Sequence, residues 1–89
     1  MLVKLVEVFK PEGERVYLDE VHVNPDAVKV IRKETNATMI NEAHSLGIVS
    51  DAQFSRITIH EGSVSRTITV IGSPEELRSK LNKRQILRG

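Results

Sequence analysis

The residues able to do chemistry are few and scattered. Three histidines, His22, His44 and His60, stand far apart, and no pair has the one-turn spacing with which a helix presents two imidazoles to a metal ion. Asp19 and Glu20 are adjacent, so on an extended strand their carboxylates point to opposite faces and cannot share acid and base work on one substrate. The chain has no cysteine, which removes cysteine nucleophiles, thiolate metal sites and structural disulfides together. It also has no GxSxG elbow, no phosphate loop and no dinucleotide fingerprint. These features predict a protein that is not an enzyme and that carries no metal or cofactor.

Binding chemistry is better supplied. In FSRITIHEGSVSRTITVIG, Ile57 and Ile59 alternate with Arg56, Thr58 and His60, and after Glu61-Gly62-Ser63 the residues Val64, Ile68 and Val70 alternate with Ser65, Thr67 and Thr69. The pattern predicts a hairpin with one apolar face and one face of hydroxyls, an imidazole and a guanidinium, a set that can satisfy phosphate or nucleobase edges. Threonine and serine also suit the solvated side of any sheet. Arg66 falls in phase with Ile68, so it either snorkels past the sheet edge or points into an interface. The candidate ligand-binding residues are Arg56, Thr58, His60, Arg66 and Thr67.

A second basic region lies at the end of the chain. Residues 77–89 carry Arg78, Lys80, Lys83, Arg84 and Arg88 with no acid, whereas residues 1–26 carry six acids against three cations. Either the two ends attract each other, within or between subunits, or the basic end serves as an arm for phosphate groups. In the second case Lys80, Lys83, Arg84 and Arg88 would contact nucleic acid. Stacking platforms for single strands are limited to Tyr17 and Phe54.

These residues need elements to position them. Leu2 to Phe9 is apolar on both alternating faces and predicts a central strand, turned back by Lys10-Pro11-Glu12-Gly13 into a second strand over Arg15 to Val23. Val16 and Leu18 share a face with Val21 and Val23 only if a bulge falls near Asp19-Glu20. Ala27 to Lys33 is open between a helix begun at Pro25 and a short strand, and its β-branched alternation favours the strand.

Ala37, Ile40, Ala43 and Leu46 recur every three residues and predict a helix over about 37–46, capped by Thr35 or Asn36 and ended at Gly47. A loop follows through Ile48-Val49-Ser50-Asp51. Ser73-Pro74-Glu75-Glu76 starts a second helix: serine caps, proline pre-sets φ, and Glu76 can close a capping box. Leu77 and Leu81 give that helix one apolar edge to lay on the sheet. Gln85 to Gly89 is either a tail or, through Ile86 and Leu87, a hook onto a neighbouring subunit.

A chain of 89 residues, 39% apolar and with three aromatics, supports one aliphatic core and one domain. The expected fold is α+β: an antiparallel sheet of four to five strands with two helices on one face, residues 34–53 forming a helical insertion and 83–89 a basic tail. So small a core favours association, so a homo-oligomer is expected. MLVKLVEVF lacks a basic leader and no stretch approaches a membrane span, which predicts a cytoplasmic protein without membrane contact.

The order LVKLVEVF, GERVYLDEVHV, AVKVIRK, FSRITIHEGSVSRTITVIGSPEELRSKLN resembles small strand-rich bacterial and phage proteins, over most of the chain except 34–53. One branch is the flagellar regulator family FlbD, which implies a small DNA-binding regulator. The other is the phage anti-Thoeris family, which implies an oligomer that sequesters a cyclic nucleotide immune signal as an anti-defence protein. Arg56, Arg66 and Thr67 occupy hairpin positions comparable to that family's ligand contacts.

Overall fold

The structure is a computed structural model. It describes residues 1–47 and 51–88, with side chains described as far as residue 82. The elements run β1 (Val3–Phe9), β2 (Tyr17–Val23), a 3₁₀ turn (Pro25–Ala27), β3 (Val28–Lys33), α1 (Ala37–Ser45), β4 (Phe54–Glu61), β5 (Val64–Ile71) and α2 (Pro74–Arg88). The strands form one five-stranded antiparallel sheet in the order β2-β1-β5-β4-β3. The α+β architecture expected from the sequence is therefore the one observed.

The sheet is two hairpins joined at a narrow corner. β1 pairs with β2, and β4 with β5, along their full lengths, whereas β1 meets β5 only at Glu7 with Val70 and Val8 with Thr69. The link from β2 to β3 shows that the sheet curls. In a flat sheet these edge strands would lie about 19 Å apart, four intervals of about 4.8 Å. Val23 to Val28 spans at most about 18 Å fully extended, and three of its residues sit in a tight 3₁₀ turn that rises only about 2 Å per residue. The edges must bend toward each other at that end. Ala27 of the link is buried with Leu5, Val23, Ile57, Ile59 and Val70, so the bend closes over that face, which becomes concave.

The two helices take opposite faces, which corrects the expectation of both on one. α2 lays Leu77 and Leu81 into the concave core, each apolar side chain contributing roughly 1.5–3 kcal/mol. α1 packs Met39, Ile40 and Ala43 against Val8, Val16, Phe54 and Ile71 on the convex face. The physical reason is strand alternation: Phe54 and Ile57 differ by three residues and so point to opposite sides of β4, and each side needs its own cover.

Local chemistry sets the boundaries. Glu14 donates its amide to the Pro11 carbonyl at 3.1 Å, closing the β1–β2 turn. β2 runs in continuous register with β1, so no bulge forms near Asp19-Glu20. Leu18 consequently points to the convex side while Val21 and Val23 face the core; the irregularity falls instead in β3, between Val28 and Val30. Asn36 caps α1 by accepting the Met39 amide at 3.1 Å, and Gly47 follows the helix at φ +96°. Ser73 and Glu76 form a complete capping box, with bonds of 3.0 and 3.1 Å. Residues 83–88 continue α2 rather than forming a separate tail; their side chains, and the loop at 48–50, lie outside the described residues.

Candidate anion-binding face

The strongest polar cluster is built around Glu34, one residue past the end of β3. Its amide bonds the Phe54 carbonyl at 2.9 Å, which keeps it in register with β4 and sends its carboxylate to the convex side beneath the start of α1. That carboxylate is only 2% exposed and is fully partnered. Thr69 Oγ1 donates to Oε1 at 2.6 Å, Arg56 Nη2 to Oε2 at 2.8 Å and Nε to Oε1 at 3.5 Å. The amides of Thr35 and Asn36 donate to Oε2 at 3.1 and 3.2 Å. Burial pushes the Glu34 carboxyl up, but the bonds from Arg56, Thr69 and the Asn36 amide together outweigh it and bring its pKa down to about 2. So acidic and fully bonded a group is no general base at neutral pH.

Arg56 is thereby fixed at the rim of an open surface. Its side chain is 48% exposed, with Nε and Nη2 held by Glu34 and Nη1 without a partner among the described residues. Its hydrogen bond and charge pairing with Glu34 raise its pKa further. Arg32 stands directly opposite on β3. The register sets two arginines across from each other on one face, an unfavourable like-charge pair. One rung along, Thr58 and Thr67 are register partners whose hydroxyls lie 3.2 Å apart. The next rung is His60 with Ser65. Val30, opposite Thr58, is the apolar member of this surface.

No protein-family model matches the chain, and no curated protein or solved structure is significantly similar to it. What the surface can do is read from its own geometry.

Of the residues singled out from sequence, Arg56, Thr58, His60 and Thr67 share the convex face. Arg66 does not. It is the register partner of Ile59 and points to the concave side, so one ligand on the convex face cannot be held by both arginines. The reason was visible in its phase with Ile68. Its charge is felt instead at Glu7, whose pKa is pushed up by burial, pulled back by Arg66 and raised again by Asp19. Arg66 also lines a cavity of about 210 Å³ with Leu2, His22, Asn24 and Glu61 at the open end between the hairpins.

Lys80 is exposed on α2, on the other side of the sheet from Arg56, and the side chains of Lys83, Arg84 and Arg88 lie outside those described. His44 packs against Phe54 with ring centroids 5.4 Å apart and the rings tilted by 57°. Among the described residues no cluster of three metal-ligating side chains occurs, and no helix is long and apolar enough to cross a membrane.

Reading the sequence passed over Glu34, Arg32 and the burial of Thr69. Arg32 and Glu34 share a strand phase that leads straight into the Thr35-Asn36 cap, a trace that could have placed a carboxylate beneath the helix start.

Proposed function

We propose that the protein is a non-enzymatic binding protein that captures an anionic, nucleotide-like small molecule on the convex face of its sheet. The observation that carries this reading is the Arg56 guanidinium, held by buried Glu34 through Nε and Nη2, half exposed and with Nη1 without a partner among the described residues, one rung from the Thr58–Thr67 pair. A pre-oriented guanidinium loses little freedom on binding a phosphate, and the bond it makes is charge-assisted. Arg32 opposite adds positive potential. Thr58 and Thr67, one rung or about 7 Å along, are placed for sugar hydroxyls, and Val30 and His60 for the edge and face of a base.

The charge balance favours one phosphate over many. On the convex face Lys4, Arg32 and Arg56 stand against Glu20 and Glu34, and Lys4 already lies 3.6 Å from Glu20. A net charge near +1 suits a small ligand and not a duplex, which takes several cations along its backbone. Sequestration of a nucleotide signal by a cytoplasmic oligomer, the role implied by the sequestering family, agrees with this face; the DNA-regulator alternative rests on the basic end of α2.

Calorimetric titration of the full chain against a panel of cyclic nucleotides and a DNA duplex tests the reading. Arg56→Lys and Thr58→Val should each weaken nucleotide binding, Arg56→Lys by roughly tenfold or more, while Arg66→Lys leaves it unchanged. Duplex binding abolished by removing Lys80, Lys83, Arg84 and Arg88, together with indifference to Arg56→Lys, would overturn the proposal in favour of the DNA regulator.

A further inference from the structure

We propose that the cavity at the open end between the hairpins is a binding site for a small aliphatic α-amino acid, with Arg66 on its carboxylate, Glu61 on its ammonium group and Leu2 against its side chain. The inference stands apart from the ligand reading of the convex face, since neither Arg56 nor the Thr58–Thr67 pair takes part in it.

The cavity has a volume of about 210 Å³. Sites for drug-sized ligands run from about 300 to 1,000 Å³, so this space is small for a nucleotide. It holds about seven waters at roughly 30 Å³ each, which suits a molecule of amino-acid size.

Its wall carries one cation and one anion that do not neutralise each other. Arg66 is the register partner of Ile59, and Glu61 that of Val64, so by strand alternation Ile59, Glu61 and Arg66 share the concave side. Arg66 and Glu61 are then diagonal neighbours, within reach for long side chains. Yet among the described residues neither is in an ion pair. Exposed charges are ordinarily left to water; what sets this pair apart is the apolar surface beside it. Leu2, 60% exposed, lines the same cavity over nearly buried Val23 and Ile59. Asn24 lines it too, with Oδ1 taken by the Asp26 amide and its side-chain nitrogen without a partner among the described residues.

An α-amino acid matches this set part by part. Its carboxylate takes charge-assisted bonds from a guanidinium, its ammonium group gives them to a carboxylate, and an aliphatic side chain covers Leu2. A ligand with only one of the two charges would strip water from the other protein group without replacing it, which costs free energy. The cavity therefore selects for the zwitterion over either half of it.

Amide chemical shifts of the isotope-labelled full chain, followed during titration with leucine, test this. The amides of Asn24, Glu61 and Arg66 should move together and saturate, with a dissociation constant below about 1 mM, while those of Arg56 and Thr58 stay still. Isocaproate, which is leucine without its ammonium group, and isopentylamine, which lacks the carboxylate, should each bind at least about tenfold more weakly. Arg66→Gln and Glu61→Gln change exposed side chains and should each weaken leucine binding by about tenfold or more, whereas Arg56→Lys should not. No saturable shift at about 10 mM leucine, shifts centred on Arg56 and Thr58, a half-molecule that binds as well as leucine, or either charge variant binding it unchanged overturns the proposal. Should a variant fail to fold, the comparison of leucine with its two halves on the wild type decides.

Discussion

Thr69 Oγ1 lies 2.6 Å from Glu34 Oε1, a hydrogen bond to a buried carboxylate that ties β5 to the turn between β3 and α1. The same carboxylate accepts from Arg56 on β4 and from the amides of Thr35 and Asn36, so it links three strands to the helix start and holds the guanidinium. Thr69→Val keeps the shape and removes the donor. It should lower stability by roughly 1.5–3 kcal/mol, the range for hydrogen bonds to charged groups, read as a lower denaturant midpoint at unchanged slope.

Acid should undo this cluster in a defined window. The Glu34 pKa is about 2 in the folded chain against an ordinary 4.5, so as pH falls the unfolded chain takes up the proton first. The stabilisation is fully present above about pH 4.5 and is lost progressively down to about pH 2, amounting to on the order of 3 kcal/mol. Urea titrations across that range should show a steep decline in the wild type. Glu34→Gln should be less stable at neutral pH and should show a flatter decline, and an equally steep one would remove Glu34 from this role.

The start of α2 depends on a reciprocal pair of side chain to backbone bonds between Ser73 and Glu76. Ser73→Ala removes the cap and should cost about 1 kcal/mol, measured by thermal or chemical unfolding.

Gly72 joins β5 to α2 at φ +127°, and a Cβ there would meet Leu77 Cδ2 at 3.2 Å. Its amide bonds Gln53 at 2.7 Å and its carbonyl accepts from Ser55 Oγ at 2.7 Å, so the backbone cannot swing away without loss. Gly72→Ala should destabilise by roughly 1–3 kcal/mol, whereas Gly13→Ala, where a Cβ meets nothing within 4 Å, should cost less.

Local patterns carried most of the fold. The β4–β5 hairpin, the Ser73 capping box and the Asn36 cap were legible because each is decided by residues within a few positions of one another. The β2 bulge was misplaced because Leu18 looked like a core residue; it is 40% exposed, and no local signal says that it faces away from the core. The opposite placement of the helices escaped because it depends on Phe54 and Val8 forming a second apolar patch, visible only once β1 and β5 are neighbours. For the same reason the face of Thr58 and Thr67 could be read from alternation, while Glu34 could not: its partners lie 22 and 35 residues away.

The narrow corner of the sheet also bears on how the chain finds its fold. Each hairpin joins neighbours in sequence and can zip from its own turn, but Glu7 with Val70 and Val8 with Thr69 close a loop of roughly sixty residues, and that entropy is spent before the two-rung contact returns much. Docking of two preformed hairpins is then the rate-limiting event. Substitutions at Val8 or Val70 should slow refolding more than equally destabilising ones near Gly62, where the hairpin turns.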